Sequence, residues 1–277
     1  MIRNRLKEIL LKVKKKVFTG NLGNNLSSFK GTGLDFSEIK DYVIGDDVRG
    51  INWKATAKGL GVKVNLFNEE RELNVVVAYL ISGSINFGVK RVKQDAMAEV
   101  MGFLSYSAIK NSDNLTTLFF DDKLEKLFKP TKKLGVLEDT LGYALNFDVI
   151  GKSIDYGAFC HFVNSSIKKR SLIFLIGDFY GDIDLSAISH KNEIYALIVR
   201  DRFEENPQFR GDISLVDPVT LSEDNINLDS SSLKEYKKLL EQNDEKLYKH
   251  FLAHKIKYGK IYTDDDMYLR ISQILKA

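Results

Sequence analysis

Residues 74–81 read NVVVAYLI, and residues 171–178 read SLIFLIGD. Each contains a short, continuous apolar run, which is typical of a strand buried on both faces of a parallel sheet. A third run, EIYALIV, lies at 193–199, and helical patterns of apolar residues lie between the runs. Strands that alternate with helices in this way predict right-handed crossovers. The expected fold is therefore α/β, doubly wound around a mostly parallel sheet.

The rest of the chain from residue 74 predicts additional elements of the same domain. LTTLFFDDKLEKLFK at 115–129 predicts two strands joined at Asp121-Asp122. Two prolines and many polar residues predict an irregular excursion at 200–230. The other expected elements are helices at about 132–147, 155–168 and 231–257, a short strand at 260–262, and a last helix from Asp264 that has Thr263 as its N-cap and Asp264, Asp265 and Asp266 in its first turn.

The N-terminal segment concentrates positive charge. Residues 1–17 hold seven Lys or Arg and one Glu, although the whole chain has a net charge of only +3. The segment therefore predicts a basic amphipathic helix over 1–19, which either packs on its own domain or docks through residues 2–17 on an anionic membrane surface or a partner. The rest of the chain lacks a basic excess, so we expect no nucleic-acid partner. The apolar stripe of this helix consists of Ile2, Leu6, Ile9, Leu10, Val13 and Val17.

Composition limits the class of protein. The chain has 277 residues, of which 44% are hydrophobic and 29% charged, and its one cysteine, Cys160, excludes a disulfide framework. No apolar run reaches the roughly 18 residues of a membrane span, and no secretory signal pattern is present. We therefore expect a cytoplasmic protein. The sequence also lacks a P-loop, an H-E-x-x-H and a G-x-S-x-G motif, so it offers no motif-based candidate for ATP binding through a P-loop, for a zinc protease or for a serine hydrolase.

Polar residues follow two of the predicted buried strands, where ligands bind in doubly wound folds. Ser82 and Ser84 come after the first strand, and Asp178 comes after the second. Hydroxyl and carboxylate oxygens suit Mg²⁺. This arrangement resembles a von Willebrand factor A domain, whose metal-ion-dependent adhesion site begins with D-x-S-x-S. Leu80 stands where that family has its first Asp, and the family's Thr falls on or beside Ile154, with Ser153 as a candidate substitute.

The missing carboxylate weakens the predicted metal site. With Leu80 in place of Asp, only Asp178 would bring formal charge to a cation, and affinity depends on the charge of the ligand set. We therefore expect a degenerate site, with no cofactor or a weakly bound Mg²⁺ completed by a partner. In the metal-free case Ser82, Ser84 and Asp178 would hydrogen-bond to one another and to nearby backbone groups.

The segment before the first strand carries a more specific signature. Gly31-Thr32-Gly33-Leu34-Asp35-Phe36, Asp41-Tyr42, Gly45-Asp46-Asp47, Arg49 and Ile51–Lys58 resemble the pattern G-x-G-x-E-F, R-x-Y, G-D-D-x-R-x-I-D-W-K of the bacterial domain of unknown function 58 family. The resemblance extends through Glu69–Glu72 to Asp217-Pro218 and Tyr236. It implies a small N-terminal module at 20–73 and a von Willebrand factor A-like domain at 74–277.

Three roles are open for this signature. The module either seals one end of the sheet, with the Trp53 ring buried, or exposes a docking surface. Asp46 and Asp47 as a catalytic pair form a third, less favoured hypothesis. The residues predicted to bind a partner are Gly45, Asp46, Asp47, Arg49 and Trp53.

The family resemblance also implies a function. Such proteins are associated with MoxR-type AAA+ ATPases, so the resemblance implies a non-enzymatic adaptor that acts with such an ATPase in the assembly or maturation of a client protein. Two alternatives remain at this point. One is a membrane-surface protein that uses residues 2–17, and the other is a metal-assisted hydrolase that depends on Asp178.

Overall fold

The computed structural model describes residues 2–19, 35–59, 61–68, 72–209 and 211–276. The predicted loop at 20–33, which includes the signature residues at 31–33, lies outside these ranges, as do residues 34 and 69–71. The chain divides into two compact units, one formed by residues 28–73 and the other by residues 1–27 and 74–277.

Strands and helices alternate through most of the chain. The strands are β1 (Asp35–Asp41), β2 (Lys63–Asn68), β3 (Asn74–Leu80), β4 (Asn114–Phe120), β5 (Leu124–Thr131), β6 (Leu172–Gly177), β7 (Glu193–Arg200), β8 (Gly211–Val216), β9 (Glu223–Leu228) and β10 (Lys257–Tyr262). The helices are α1 (Ile2–Thr19), α2 (Trp53–Thr56), α3 (Lys93–Lys110), α4 (Val136–Asn146), α5 (Tyr156–Ser166), α6 (Ser186–Ser189), α7 (Arg202–Glu205), α8 (Ser230–Ala253) and α9 (Met267–Lys276). Short 3₁₀ helices lie at Val48–Gly50 and Gly83–Asn86.

A six-stranded sheet forms the centre of the larger unit, in the order β10-β7-β6-β3-β4-β5. All neighbouring pairs are parallel except β4 and β5, which form an antiparallel hairpin. The predicted α/β architecture with a mostly parallel sheet flanked by helices is therefore confirmed. The chain winds from β3 toward β4 and later returns to place β6 on the other side of β3. The winding thus reverses between β3 and β6, which is where such folds place ligands.

Burial explains the continuous apolar runs. All six residues of β6 are buried, as are all residues of β3 after Asn74. Helix α3 is also buried around most of its circumference, because it packs against the sheet on one side and against α1 and α4 on the other. A central helix with so little solvent exposure needs almost no polar face.

Helix α1 packs on its own unit. Its residues Ile9, Val13 and Val17 are buried, and α1 contacts α3 and α4. Gly102 in α3 permits this approach, because a Cβ at that position would lie 3.2 Å from Cγ2 of Val13. Of the two arrangements open to the basic helix, the structure therefore shows the packed one. Within the described ranges, none of the helices combines the length and apolar character that a membrane crossing requires.

Four details of the prediction for residues 200–270 are wrong. The predicted irregular excursion contains α7 and the β8–β9 hairpin, whose mostly exposed residues show no core-facing alternation. Strand β10 begins at Lys257, and the last helix begins at Met267. Thr263 is not its N-cap, since it is buried and donates from Oγ1 to Asp201 at 2.7 Å. Asp266 instead accepts from the backbone N–H of Leu269 at 3.2 Å.

Residues 28–73 form the smaller unit. In it, β1 and β2 pair as an antiparallel ribbon with an irregularity between Phe36 and Glu38. Asp47 caps the 3₁₀ helix at Val48–Gly50, and Asn52 caps α2 by accepting from the backbone N–H of Ala55. Capping side chains thus define the turns of this module.

Candidate functional site

The predicted serine and aspartate residues meet at the carboxyl ends of β3 and β6, where the winding reverses and doubly wound folds form their crevice. The hydroxyl oxygens of Ser82 and Ser84 lie 2.7 Å apart. Ser82 donates to Oδ1 of Asp178 at 3.4 Å, and Ser84 donates to Oδ2 of the same carboxylate. The structure therefore brings together the three residues predicted from sequence.

A lysine completes this crevice. Lys93, the first residue of α3, places its ammonium nitrogen 3.2 Å from Oδ2 of Asp178 and 2.5 Å from Oε1 of Glu204. The Lys93 side chain is fully buried, and both carboxylates are nearly so. Lys93 and Glu204 were not predicted from the sequence. The signal that could have found Lys93 is a cation in the first turn of an apolar helix, where the helix dipole disfavours positive charge.

The environment keeps Asp178 ionised. Burial alone would raise the pKa of its carboxyl, but the Lys93 ammonium, the Ser84 hydroxyl and the Arg200 guanidinium outweigh burial, and the net pKa lies below the ordinary value. For Glu204, burial dominates and raises the pKa despite the same ammonium. Lys93, Asp178 and Glu204 thus form a compact charge cluster in which a protein side chain supplies the positive charge. We call these three residues the Lys93 cluster.

A second buried cation flanks the Lys93 cluster. The Arg200 guanidinium is fully buried, stacks 3.5 Å from the centroid of the Tyr180 ring and lies 3.3 Å from Asp244. Stacking on an aromatic face stabilises a desolvated guanidinium. The end of β7 is therefore fixed by its own ion pair beside the crevice.

The positions that depart from the predicted metal site contribute no ligand. Leu80 is buried in the apolar core, and a Cβ at Gly177 would lie 3.2 Å from Cβ of Leu80. Ser153 is exposed, and no hydrogen bond joins it to Ser82, Ser84 or Asp178 in the described part of the chain. The residues present therefore do not fit a divalent cation well, because Lys93 already engages the one carboxylate of the predicted set.

A similar arrangement lies at the β4–β5 turn. The carboxylates of Asp121, Asp122 and Glu125 lie close enough to share a cation, but the ammonium of Lys152 is 2.8 Å from Asp121 and 2.9 Å from Glu125. Burial would raise the pKa of Asp121, yet Lys152 and backbone donors lower it to about 2. A lysine again neutralises carboxylates at a strand end.

The β8–β9 turn lies directly against the loop that carries the two serines. The carbonyl oxygen of Pro218 accepts from the backbone N–H of Gly151 at 2.8 Å. A Cβ at Gly83 would lie only 2.1 Å from that same oxygen, so a side chain there would displace the turn. Tyr236 donates to the carbonyl of Glu204 at 2.7 Å. The late signature residues Pro218 and Tyr236 thus lie at the crevice.

The signature residues of the smaller unit pair locally. Asp46 accepts from Lys40 and from the backbone N–H of Val43. Asp47 forms a two-nitrogen ion pair with Arg49, which lowers the pKa of Asp47 to about 2. Each carboxylate therefore has its own partners, which does not favour a catalytic pair.

The same unit exposes large apolar side chains. Trp53 is 70% exposed. Ile44 is 96% exposed, and the neighbouring Gly45 has a φ of +111°, a value that favours glycine. Together with the Asp47–Arg49 pair, these side chains form what we call the module surface: Val43, Ile44, Asp47, Val48, Arg49 and Trp53.

Within the part of the chain that the structure describes, His250 and Cys160 offer no alternative centre. Nε2 of His250 accepts from the backbone N–H of Leu185 at 3.0 Å, so this nitrogen is not free to bind a metal. Cys160 is buried, and burial raises the pKa of its thiol to about 11. A protonated, buried thiol is a poor nucleophile.

Comparison with known proteins identifies uncharacterised relatives. The model of a family described as "Protein of unknown function DUF58" matches residues 38–246. Uncharacterized proteins of Mycobacterium tuberculosis and Mycobacterium bovis are each 24% identical over 227 residues, which cover 76% of this chain and 69% of each relative.

Two solved structures show a weaker likeness. The conserved hypothetical protein BatB from Bacteroides thetaiotaomicron is 14% identical, with a TM-score of 0.45 over 74% of this chain and 97% of that chain. An aerotolerance-related membrane protein from Bacteroides fragilis is 12% identical, with a TM-score of 0.42 over 74% and 98%.

Proposed function

We propose a function on the premise that this chain belongs to the DUF58 family, a family of proteins of unknown function. The chain is a non-enzymatic adaptor built on a von Willebrand factor A-like domain. It acts in the cytoplasm with a MoxR-type AAA+ ATPase in the assembly or maturation of client proteins. The observation that supports a non-enzymatic role is the Lys93 cluster.

Charge explains why the Lys93 cluster supports binding without a metal. A divalent cation in such a crevice would bridge the domain to an incoming carboxylate or polarise a substrate. Here the Lys93 ammonium forms ion pairs with Asp178 and Glu204, so a metal cation at Asp178 would have to displace a buried positive charge. The ionised carboxylate of Asp178 is engaged by several donors, so it is not free to act on a substrate. Binding in this proposal therefore uses protein surfaces and no bound Mg²⁺.

The module surface supports a role in partner binding. Aromatic and arginine side chains are frequent anchors of protein interfaces, and contiguous exposed apolar residues mark interaction sites. Trp53, Arg49 and Ile44 present these features on a short segment whose turns are fixed by Asp46 and Asp47. We propose this surface as the docking site for the ATPase.

The two alternative functions receive less support. Docking of α1 on a membrane would require its apolar stripe, yet Ile9, Val13 and Val17 are buried against α3 and α4. Hydrolysis through Asp178 would require a carboxylate that can bind a metal or substrate, and Asp178 is held by Ser84 and Lys93.

A binding assay with the purified full-length chain tests the proposal. Biolayer interferometry against a MoxR-type ATPase, with and without ATP and Mg²⁺, should show association. Trp53→Ala should weaken it by about tenfold or more, as expected for an interface anchor. Phe209→Ala, which removes an exposed aromatic side chain of the larger unit, is the matched control and should bind normally. No association in any nucleotide state would contradict the proposal.

A further inference from the structure

The β8–β9 hairpin presents an unprotected strand edge. Within the described ranges, β8 and β9 pair with each other and with no strand of the six-stranded sheet. Natural proteins protect exposed edges with lysine, proline, bulges or a covering element, because unpaired N–H and C=O groups recruit other strands. The edge strand β5 follows this rule, with Lys126, Lys129, Pro130 and two register shifts. Strand β8, GDISLV, has no lysine, no proline and a regular register with β9.

Hydrogen bonds identify which edge is free. The backbone N–H of Asp217 donates to the carbonyl of Ser222, which makes this a hydrogen-bonded pair. Because such pairs alternate along an antiparallel ladder, the backbone groups of Asp212, Ser214 and Val216 point away from β9. On the far edge, the carbonyl of Asn227 accepts from Ser232 Oγ in the first turn of α8. Helix α8 therefore covers part of the β9 edge, whereas within the described ranges no hydrogen bond from another element reaches the outward backbone groups of β8.

The charge of the hairpin indicates the partner. Residues 211–228 contain four carboxylates and no Lys or Arg, and none of the four forms a salt bridge within the described part of the chain. Leu215 and Val216 on β8 are 44% and 58% exposed. An extended segment with basic side chains would complement this charge, and apolar side chains at alternate positions would pack on the face that carries Leu215. The four carboxylates are Asp212, Asp217, Glu223 and Asp224.

We propose that the free edge of β8 binds an extended, basic segment of a partner polypeptide by strand addition. The outward N–H and C=O groups of Asp212, Ser214 and Val216 supply the main-chain hydrogen bonds, and the carboxylates select basic side chains. The docked segment would lie beside the Pro218 turn, next to the loop of Ser82 and Ser84. This binding mode goes beyond the proposed function and needs no ATPase.

A synthetic peptide tests strand addition directly. The probe is fluorescein-labelled Lys-Val-Lys-Val-Lys-Val amide, and fluorescence anisotropy with the full chain measures its binding. We expect saturable binding that weakens as salt rises, and no comparable binding of the Glu-Val counterpart. Ser214→Pro removes an outward N–H without removing a ladder bond, so affinity should fall by about tenfold or more. Asn225→Pro makes the equivalent change on the β9 edge and should bind like the wild type.

A modified peptide keeps the test independent of protein folding. N-methylation of alternate peptide residues blocks main-chain pairing and leaves the protein unchanged. N-methylation should abolish binding when the methylated residues are those whose N–H groups would face β8. Equal affinity for the methylated and unmethylated peptides, for Ser214→Pro and wild type, or for the acidic and basic peptides would overturn the inference. None of these results depends on whether the ATPase binds the module surface.

Discussion

Replacing Lys93 with methionine would test the Lys93 cluster, because methionine retains a long side chain and removes the ammonium. In the wild type this ammonium lies 3.2 Å from Asp178 and 2.5 Å from Glu204, and the side chain is fully buried. The variant would leave two carboxylates in a desolvated site without their shared cation. We therefore expect Lys93→Met to destabilise the fold.

The expected magnitude follows from burial. Removing one partner of a buried ion pair costs about 3–5 kcal/mol, because the remaining charge is left uncompensated. Folded domains have total stabilities of about 5–15 kcal/mol, so this loss is a large fraction. For a domain of about 150–250 residues, each kcal/mol shifts the Tm by roughly 2–4 °C. Arg200 also lowers the pKa of Asp178 and remains in the variant. The loss of stability should therefore lie near the lower end of the range of about 3–5 kcal/mol.

The pH dependence of the stability difference between the wild type and Lys93→Met provides an independent test. The folded-state pKa of Asp178 is lowered, so its pairing stabilises the wild type above the unfolded-state pKa and is lost as pH falls through the folded value. In Lys93→Met the ammonium no longer opposes desolvation, so the pKa of Asp178 should rise. Protonation of Asp178 at acidic pH would then remove its uncompensated charge and restore part of the stability of the variant. The stability difference between the two proteins should therefore be largest near pH 7 and should narrow below about pH 4.

Urea unfolding followed by circular dichroism would measure these differences. Lys90→Met is the matched control, since Lys90 is exposed and its loss should change the free energy of unfolding by less than about 0.5 kcal/mol. Lys93→Met combined with Asp178→Asn should recover part of the loss, because one uncompensated charge is removed. Equal urea midpoints for Lys93→Met and Lys90→Met at pH 7 would refute the reasoning.

Three further predictions concern close packing and thiol chemistry. Gly83→Ala should loosen the β8–β9 turn and speed its proteolysis, because the new methyl group would lie 2.1 Å from the Pro218 carbonyl, whereas Gly142→Ala has no atom within 4 Å and should not. Val13→Ala should lower the free energy of unfolding by roughly 2 kcal/mol in urea titrations, and an unchanged value would contradict the packing of α1. Because burial raises the Cys160 pKa to about 11, iodoacetamide at pH 8 should label the native chain far more slowly than the urea-unfolded chain, and equal rates would contradict that burial.

The fold was predictable where burial leaves a pattern in the sequence. Strands β3 and β6 are buried along nearly their whole length, so their apolar runs predicted the sheet and its end at Ser82 and Asp178. The β8–β9 hairpin was missed because a two-stranded sheet with both faces largely exposed needs no apolar alternation.

The Lys93 cluster was only partly predictable. Ser82, Ser84 and Asp178 follow strand ends, and neighbouring parallel strands bring such residues together. Lys93 meets Asp178 across 85 residues and Glu204 across 111, and no local pattern marks those pairs. The shortage of carboxylates at the crevice was therefore predictable from the sequence, whereas the lysine that balances Asp178 was not.

The charge of the Lys93 cluster also bears on what can approach it. One ammonium faces two carboxylates, while Arg200 has its own partner in Asp244, so Lys93, Asp178 and Glu204 together carry a formal charge of −1 when ionised. A divalent cation could attract an incoming carboxylate, whereas this cluster would repel one. The adjacent hairpin is also acidic. Both features favour a partner segment with basic side chains at this edge, and Lys93→Met, which makes the cluster more negative, should not weaken the binding of the Lys-Val peptide in a variant that remains folded.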